Sequence, residues 1–215
     1  MSNTFGNVCI IGDSYSTFKD CIPKGNACCY PRVYDDGTVQ IDKVEKTWWH
    51  QFISQTGSNL VLNDSWSGST VCKTGYSGVV SDDSPFYKRA EKYLKDGKYN
   101  GQKIDTLFVF GGTNDNWANA PLGDYKYENW TETDFESFLP AFCYLCSYLK
   151  KEMPDVRIVS IVNTELKDEV SKGIAEISNH FGIEWVELKN INKIDGHPDE
   201  LGMTQIKDQI LEKIN

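Results

Sequence analysis

The chain has 215 residues, with 22 Lys and Arg against 31 Asp and Glu, so its formal net charge is −9. This acidity disfavours nucleic acid and anionic lipid surfaces as partners. The length suits one hydrophobic core, and we expect residues 1–215 to form a single domain.

No apolar run approaches the ~20 residues that a membrane-spanning helix needs. Residues 1–6 lack the basic and apolar stretches of a signal peptide. We therefore expect a soluble protein without integral membrane association. It would be cytoplasmic as the sequence stands, or secreted or periplasmic if a leader has been removed. Composition leaves the oligomeric state open.

Five short apolar runs predict strands, and helical patterns fall between them. Most of the runs are continuous rather than alternating, as strands covered on both faces require. The sequence therefore predicts an α/β protein, a three-layer α/β/α sandwich around a five-stranded parallel sheet. The strands are expected at residues 8–11, 60–62, 106–110, 157–162 and 183–188.

Helix boundaries are marked by capping residues. Thr47 is expected to begin a helix that Gly57 ends. Further along, apolar faces over residues 170–181 and 203–214 predict two helices, the first ended by Gly182.

A longer helix is predicted between the third and fourth strands. It would open at Thr133, with Glu136 as the capping-box partner. Pro140 lies inside this pattern and removes one backbone hydrogen bond, so we expect a bend or a break there.

Two long connections follow the first and third strands, over residues 18–46 and 117–131. Loops of this length are usually functional or disordered. Both leave the carboxyl ends of strands, where open parallel sheets place their ligand sites. We therefore expect both to wall a pocket.

The first strand ends in Gly12-Asp13-Ser14. A serine hydroxyl is inert at its own pKa and needs a neighbouring base to act as a nucleophile. Of the three histidines, only His197 lies in a loop bordered by Gly and Pro, whereas His50 and His180 fall in helical patterns. The sequence thus predicts Ser14 as nucleophile and His197 as base.

Attack by a serine builds negative charge on a carbonyl oxygen, which calls for preorganised donors. Asn114 follows the third strand in Gly-Gly-Thr-Asn-Asp, and Gly68 follows the second. We expect their N–H groups and the backbone N–H of Ser14 to form an oxyanion hole. The alternative for Asn114 is an Asx-turn at a strand exit.

In these motifs the chain resembles the SGNH hydrolases, also called the GDSL esterase/lipase family, over residues 8–203. The resemblance implies a flavodoxin-like sheet, short-chain acyl substrates, and the roles given above to Ser14, Gly68, Asn114 and His197. In that family an acid usually stands three residues before the histidine.

Here that third position before the histidine is Ile194, and Asp195 stands only two before His197. We expect Asp195 to complete a catalytic triad if the loop is one residue tighter. The alternative is a Ser-His dyad, in which a backbone carbonyl orients the imidazole ring.

Aromatic residues beside the motifs are candidates for the substrate pocket, because flat rings suit sugars or flat acyl groups. Core packing is the alternative, and it is the expectation for Trp48 and Trp49. The pocket candidates are Tyr15, Trp66, Tyr76 and Trp117.

The sequence implies no cofactor and no metal. Cys143 and Cys146 form a Cys-x-x-Cys pair without a second pair or a nearby histidine, so we expect both to pack in the core. The glycine-rich strand exits lack the dinucleotide and P-loop spacings.

The sequence therefore predicts a serine hydrolase that cleaves carboxylic esters through an acyl-enzyme intermediate. A short-chain acyl or acetyl esterase acting on a carbohydrate or similar polar ester is favoured. The alternatives are a lysophospholipase or thioesterase acting on lipids, and a non-catalytic carbohydrate-binding relative.

Overall fold

The computed structural model of the chain describes residues 5–215. Residues 1–4, on which the signal-peptide judgement partly rests, lie outside the described residues. Among residues 5–215, no helix is both long and apolar enough to cross a bilayer.

Five parallel strands form the central sheet, in which the first strand of the chain lies between the second and the third, and the fourth and fifth follow the third. All five were predicted. The second is longer than expected because Asn63, Asp64 and Ser65 continue the ladder beside β1. The strands are β1 Asn7–Gly12, β2 Asn59–Ser65, β3 Thr106–Phe110, β4 Arg157–Val162 and β5 Glu184–Glu187.

Helices cover both faces of this sheet, so the predicted three-layer α/β/α class is confirmed. Side chains of β1 alternate between the two cores: Val8 and Ile10 face the helices on one side of the sheet, whereas Cys9 and Ile11 face those on the other. This explains why the strand is continuously apolar. The helices are α1 Trp48–Thr56, α2 Phe86–Tyr93, α3 Thr113–Trp117, α4 Phe138–Glu152, α5 Asp168–His180 and α6 Glu200–Ile214.

The predicted boundaries of α1 are confirmed. The Thr47 hydroxyl accepts from the His50 N–H, and Gly57 takes the left-handed conformation at the end of the helix. Trp48 and Trp49 are buried, as expected of core residues.

The prediction of a helix opening at Thr133 was wrong. Residues Glu132–Glu136 form a 3-10 turn instead, capped by Thr131 with Asp134, and α4 begins after Ser137. The break therefore precedes Pro140. The proline occupies the third position of α4, where its missing N–H would have had no partner within the helix.

Sequence patterns did not predict α2 and α3. The first is only eight residues long and buries a charged side chain, Arg89, on its inner face. The second is a five-residue helix that carries Asn114, where a strand exit in loop conformation was expected. Both elements are too short for periodicity to detect.

Strand order reverses beside β1, which has β2 on one side and β3 on the other. In open parallel sheets, ligands bind beyond the carboxyl ends of the strands at such a switch point. The three predicted donors and the nucleophile follow β1, β2 and β3, so the topology gathers them at one edge of the sheet.

Candidate active site

Ser14 lies directly beyond the carboxyl end of β1, in a 3-10 turn that spans Ser14–Ser16. Asp13 caps this turn, because its carboxylate accepts from the Tyr15 N–H at 3.1 Å. The tight exit requires Gly12: a Cβ there would lie 2.7 Å from Oγ of Ser65. Close packing beneath the turn thus holds the Ser14 hydroxyl in place.

His197 lies on a small hairpin, in which Lys193–Ile194 pairs with His197–Pro198. The turn between them consists of Asp195 and Gly196, with φ values of 47° and 75°. Two left-handed central residues are what a type I′ turn requires, and Asp-Gly is a preferred sequence for it. The sequence patterns considered above did not predict this hairpin, although the Asp195-Gly196 pair indicates a turn of this type.

The hairpin brings the two predicted catalytic groups together. Nε2 of His197 lies 3.1 Å from Oγ of Ser14, and Nδ1 lies 3.1 Å from the carbonyl oxygen of Asp195. When Nδ1–H donates to that carbonyl, Nε2 is unprotonated and accepts from the Ser14 hydroxyl. Burial lowers the pKa of His197 from 6.5, with Arg32 and Lys193 adding to the effect. The imidazole is therefore neutral at pH 7, as a general base must be.

The expected contact between the Asp195 carboxylate and the His197 imidazole does not form. The backbone carbonyl of Asp195 takes that place. The carboxylate pairs instead with Arg32, its Oδ2 lying 3.5 Å from Nη2. In this turn the carbonyl of Asp195 faces the ring, and its side chain faces Arg32. The dyad alternative matches this geometry.

The long connection over residues 18–46 holds the histidine hairpin in place. Tyr30 donates its hydroxyl to the Pro198 carbonyl at 2.9 Å. Gln40 donates through Nε2 to the carbonyls of His197 and Pro198, each at 3.0 Å. Sequence reasoning expected this loop to wall a pocket and missed these anchors, because their partners lie more than 150 residues away in the chain.

Tyr15 has a different place from the one predicted. Its side chain is fully buried, and its hydroxyl donates to the carbonyl of Gly196. A side chain without exposed surface has none to offer a substrate, so the pocket assignment of Tyr15 was wrong. Tyr15 instead links the nucleophile turn to the histidine hairpin.

One of the three expected oxyanion donors is oriented by its contacts, and the N–H groups of the other two are unpaired within the described part of the chain. Asn114 donates through Nδ2 to the Ser69 carbonyl at 3.0 Å, and its Oδ1 accepts from the Tyr76 hydroxyl at 2.6 Å. These contacts fix the amide and leave one of its two hydrogens for another acceptor. Within residues 5–215, the backbone N–H groups of Ser14 and Gly68 donate to no acceptor.

Two buried charged side chains, neither singled out from the sequence, support the oxyanion segment. Asp115 accepts from the backbone N–H groups of Val71 and Cys72, and burial raises its pKa to about 6. Arg89 donates to the Gly12 carbonyl and to Oγ of Ser69, both at 3.1 Å. The position of Asp115 directly after Asn114 was the only sequence signal for it.

The remaining pocket candidates divide between two places. Trp117 packs against His197 with ring centroids 5.6 Å apart, and Tyr76 donates its hydroxyl to Asn114, so each contacts a predicted site residue. Trp66 lines a separate cavity of about 410 Å³, which neither Ser14 nor His197 lines. The structure therefore brings only Trp117 and Tyr76 to the candidate site.

Among the described residues, no group of three or more His, Cys, Asp or Glu side chains is arranged to hold a metal ion. Cys143 and Cys146 are buried in α4, as expected of core residues.

Fold and site together are those of an ester-cleaving hydrolase, and comparison with known families agrees. The profile of the family described as GDSL-like Lipase/Acylhydrolase matches residues 6–214. The chain belongs to this family. A comparison with curated proteins finds no match.

Two solved structures resemble the chain over almost their whole length. A protein from Bacteroides uniformis ATCC 8492, assigned as a GDSL-like lipase, is 43% identical, with 97% of this chain and 95% of that chain covered and a TM-score of 0.88. Its counterpart from Bacteroides ovatus ATCC 8483 is 39% identical, with 97% of each chain covered and a TM-score of 0.87.

A more distant structure is similar in fold alone. The acetyl xylan esterase Est2A from the rumen bacterium Butyrivibrio proteoclasticus is 15% identical, and its TM-score is 0.62. The match covers 96% of this chain and 63% of that chain.

Proposed function

We propose that the protein is a serine esterase that removes a short acyl group, most simply acetyl, from a carbohydrate or similar polar ester. Ser14 is the nucleophile and His197 the general base. The observation that carries this proposal is the 3.1 Å contact between Oγ of Ser14 and Nε2 of His197, with Nδ1 held by a carbonyl.

The reaction proceeds through an acyl-enzyme. Oγ of Ser14 attacks the ester carbonyl carbon while Nε2 of His197 takes the hydroxyl proton. The N–H groups of Ser14, Gly68 and Asn114 stabilise the resulting oxyanion. His197 then gives its proton to the leaving alcohol oxygen as the carbon–oxygen bond breaks. Water, activated by the same imidazole, releases the acid and restores Ser14.

The preference for a small acyl group is supported by the low exposure of the nucleophile and of one donor. Ser14 and Asn114 are each only 2% exposed, so they offer little open surface to a bulky acyl group. Trp117 offers a partly exposed indole next to His197, as sugar-binding sites commonly do. The fold similarity to an acetyl xylan esterase agrees with this substrate class.

A lipid-type acylhydrolase is the second candidate. It is favoured by the exposed apolar side chains that follow the oxyanion segment, since Tyr76, Val79 and Val80 are 44%, 64% and 54% exposed. Such a surface would suit a longer acyl chain.

Hydrolysis of p-nitrophenyl esters from acetate to palmitate tests both candidates. Wild type and Ser14→Ala would be compared, with Ser54→Ala as a control because Ser54 is an exposed serine on α1. Ser14-dependent hydrolysis confined to short esters, followed by acetate release from an acetylated xylo-oligosaccharide, is the expected result. A preference for long chains would replace the polar-ester proposal with the lipid one, and equal rates in Ser14→Ala would overturn both.

A further inference from the structure

We propose that Arg32 is a positioning residue for His197: it holds the Asp195 side chain so that the Asp195 carbonyl faces Nδ1, and its charge keeps the imidazole neutral. Arg32 thus places a positive charge beside Nδ1 of His197, where a catalytic triad has a carboxylate. This inference rests on the proposed function, because it concerns the general base of that reaction.

The contacts of Arg32 show its place. Nη2 lies 3.5 Å from Oδ2 of Asp195, and Nη1 lies 3.3 Å from Nδ1 of His197. The face of the guanidinium lies over the Tyr34 ring, 5.0 Å from its centroid. Arg32 therefore contacts the side chain of the one residue whose carbonyl orients the imidazole.

In the tautomer that a general base needs, Nδ1–H donates to the Asp195 carbonyl at 3.1 Å. The guanidinium has only donors, so in that tautomer Arg32 acts on the ring through its charge rather than through a hydrogen bond. Protonation of Nε2 would place a second positive charge beside Arg32. The arrangement therefore favours the neutral ring, which is the opposite of what a carboxylate does in a triad.

The other charged groups around the ring offset this charge only in part. Lys193 is a second cation, but its Nζ is paired with the Glu165 carboxylate at 2.9 Å. The Asp195 carboxylate offsets Arg32 in part, because its side chain is 62% exposed and water screens its charge. The remaining neighbours are the aromatic rings of Tyr15, Tyr30 and Trp117, which exclude water from the imidazole.

Conformation adds to the argument. Asp195 is a non-glycine residue at φ 47°, the left-handed conformation that the first central residue of this type I′ turn requires. Arg32 holds the Asp195 side chain and Tyr15 holds the Gly196 carbonyl, so the turn is fixed at both of its central residues. The carbonyl that faces Nδ1 belongs to the residue that Arg32 holds.

The proposal makes two variants shift the histidine pKa in opposite directions. Arg32→Gln removes the cation, so the pKa of His197 should rise by about 0.5 to 1 unit. The rise is small because Arg32 is partly exposed and water screens its charge. Asp195→Asn leaves the backbone carbonyl in place but removes the charge that offsets Arg32, so the pKa should fall. In a triad, Asp195→Asn would instead lower kcat by about 10⁴.

Two measurements on the full chain give the readout. The ring resonances of His197 are followed by NMR against pH, and the acid limb of kcat/KM is measured with p-nitrophenyl acetate at the isosbestic wavelength. Lys43→Gln serves as the control, because it removes an exposed positive charge from the same loop. Arg32→Lys keeps the positive charge but not the forked geometry of the guanidinium, so the pKa of His197 in this variant should lie close to the wild-type value.

The expected result is a raised pKa in Arg32→Gln, a lowered one in Asp195→Asn with less than about tenfold loss of kcat, and no change in Lys43→Gln. An unchanged pKa in Arg32→Gln, or a loss of several thousandfold in Asp195→Asn, would overturn the proposal. Should Arg32→Gln not fold, Asp195→Asn decides alone, because its side chain is mostly exposed. The NMR titration needs no turnover, so absence of Ser14-dependent activity would refute the proposed function while leaving this test intact.

Discussion

Replacing Arg89 by methionine should strongly destabilise the protein. The guanidinium is 2% exposed and pairs with Asp64, which is 1% exposed, across 3.0 Å. It also donates to the carbonyls of Ser84 and Gly12 and to Oγ of Ser69. The substitution would leave the Asp64 carboxylate buried without its cation.

The expected loss follows from this burial. Removing one partner of a buried ion pair costs about 3 to 5 kcal/mol, because the remaining charge is uncompensated. Unfolding entropy is about 2.1 cal/mol/K per residue, or about 0.45 kcal/mol/K over 215 residues. The melting temperature should therefore fall by about 7 to 11 °C.

Calorimetry and urea unfolding of Arg89→Met would measure this loss, with Lys92→Met as an exposed control on the same helix. The control should stay within about 0.5 kcal/mol of wild type. Adding Asp64→Asn to Arg89→Met should recover part of the loss, because it removes the uncompensated charge. A loss below about 1 kcal/mol, or a double variant less stable than Arg89→Met, would refute the reasoning.

Two further predictions concern the oxyanion donor and a buried acid. Asn114→Ala should lower kcat by about 10² to 10³ with little change in KM. Tyr76→Phe should lower kcat less, since it removes only the hydroxyl that orients the Asn114 amide. Steady-state kinetics on p-nitrophenyl acetate check both variants, and a change in KM alone would contradict the assignment of Asn114. Burial raises the pKa of Asp13 from 3.8 to about 7. The folded state therefore binds a proton on the Asp13 carboxyl more tightly than the unfolded state does, and the free energy of unfolding should fall as pH rises from about 4 to 7. Asp13→Asn should remove the Asp13 share of that decline, at most about 4 kcal/mol, and leave the smaller share due to Asp115, whose pKa burial raises to about 6. Urea unfolding of both proteins across this pH range checks it, and parallel curves would show the prediction wrong.

The sequence was most informative where the structure depends on local patterns. Continuous apolar runs such as residues 106–110 predicted the strands, because a strand covered on both faces has no polar alternation. The placement of Ser14, Gly68 and Asn114 after successive strands then predicted one shared site. Their convergence follows from the strand order, in which β1 lies between β2 and β3.

Interactions between distant parts of the chain could not be predicted in this way. Arg32 and Gln40 contact the histidine hairpin from 165 and 157 residues away, and no local pattern marks either residue. Asp195 was read as an acid from its spacing to His197. The Asp-Gly turn instead presents a carbonyl to the ring, and the turn signal in the sequence was available but not used.

Covalent labelling with a fluorophosphonate, followed by intact mass and peptide mapping, tests the central claim most directly. The account predicts one adduct per chain, located on Ser14, abolished in Ser14→Ala and greatly slowed in His197→Ala, with Ser54→Ala labelled at the wild-type rate. Labelling of Ser14→Ala at the wild-type rate, or an adduct on another residue, would contradict it.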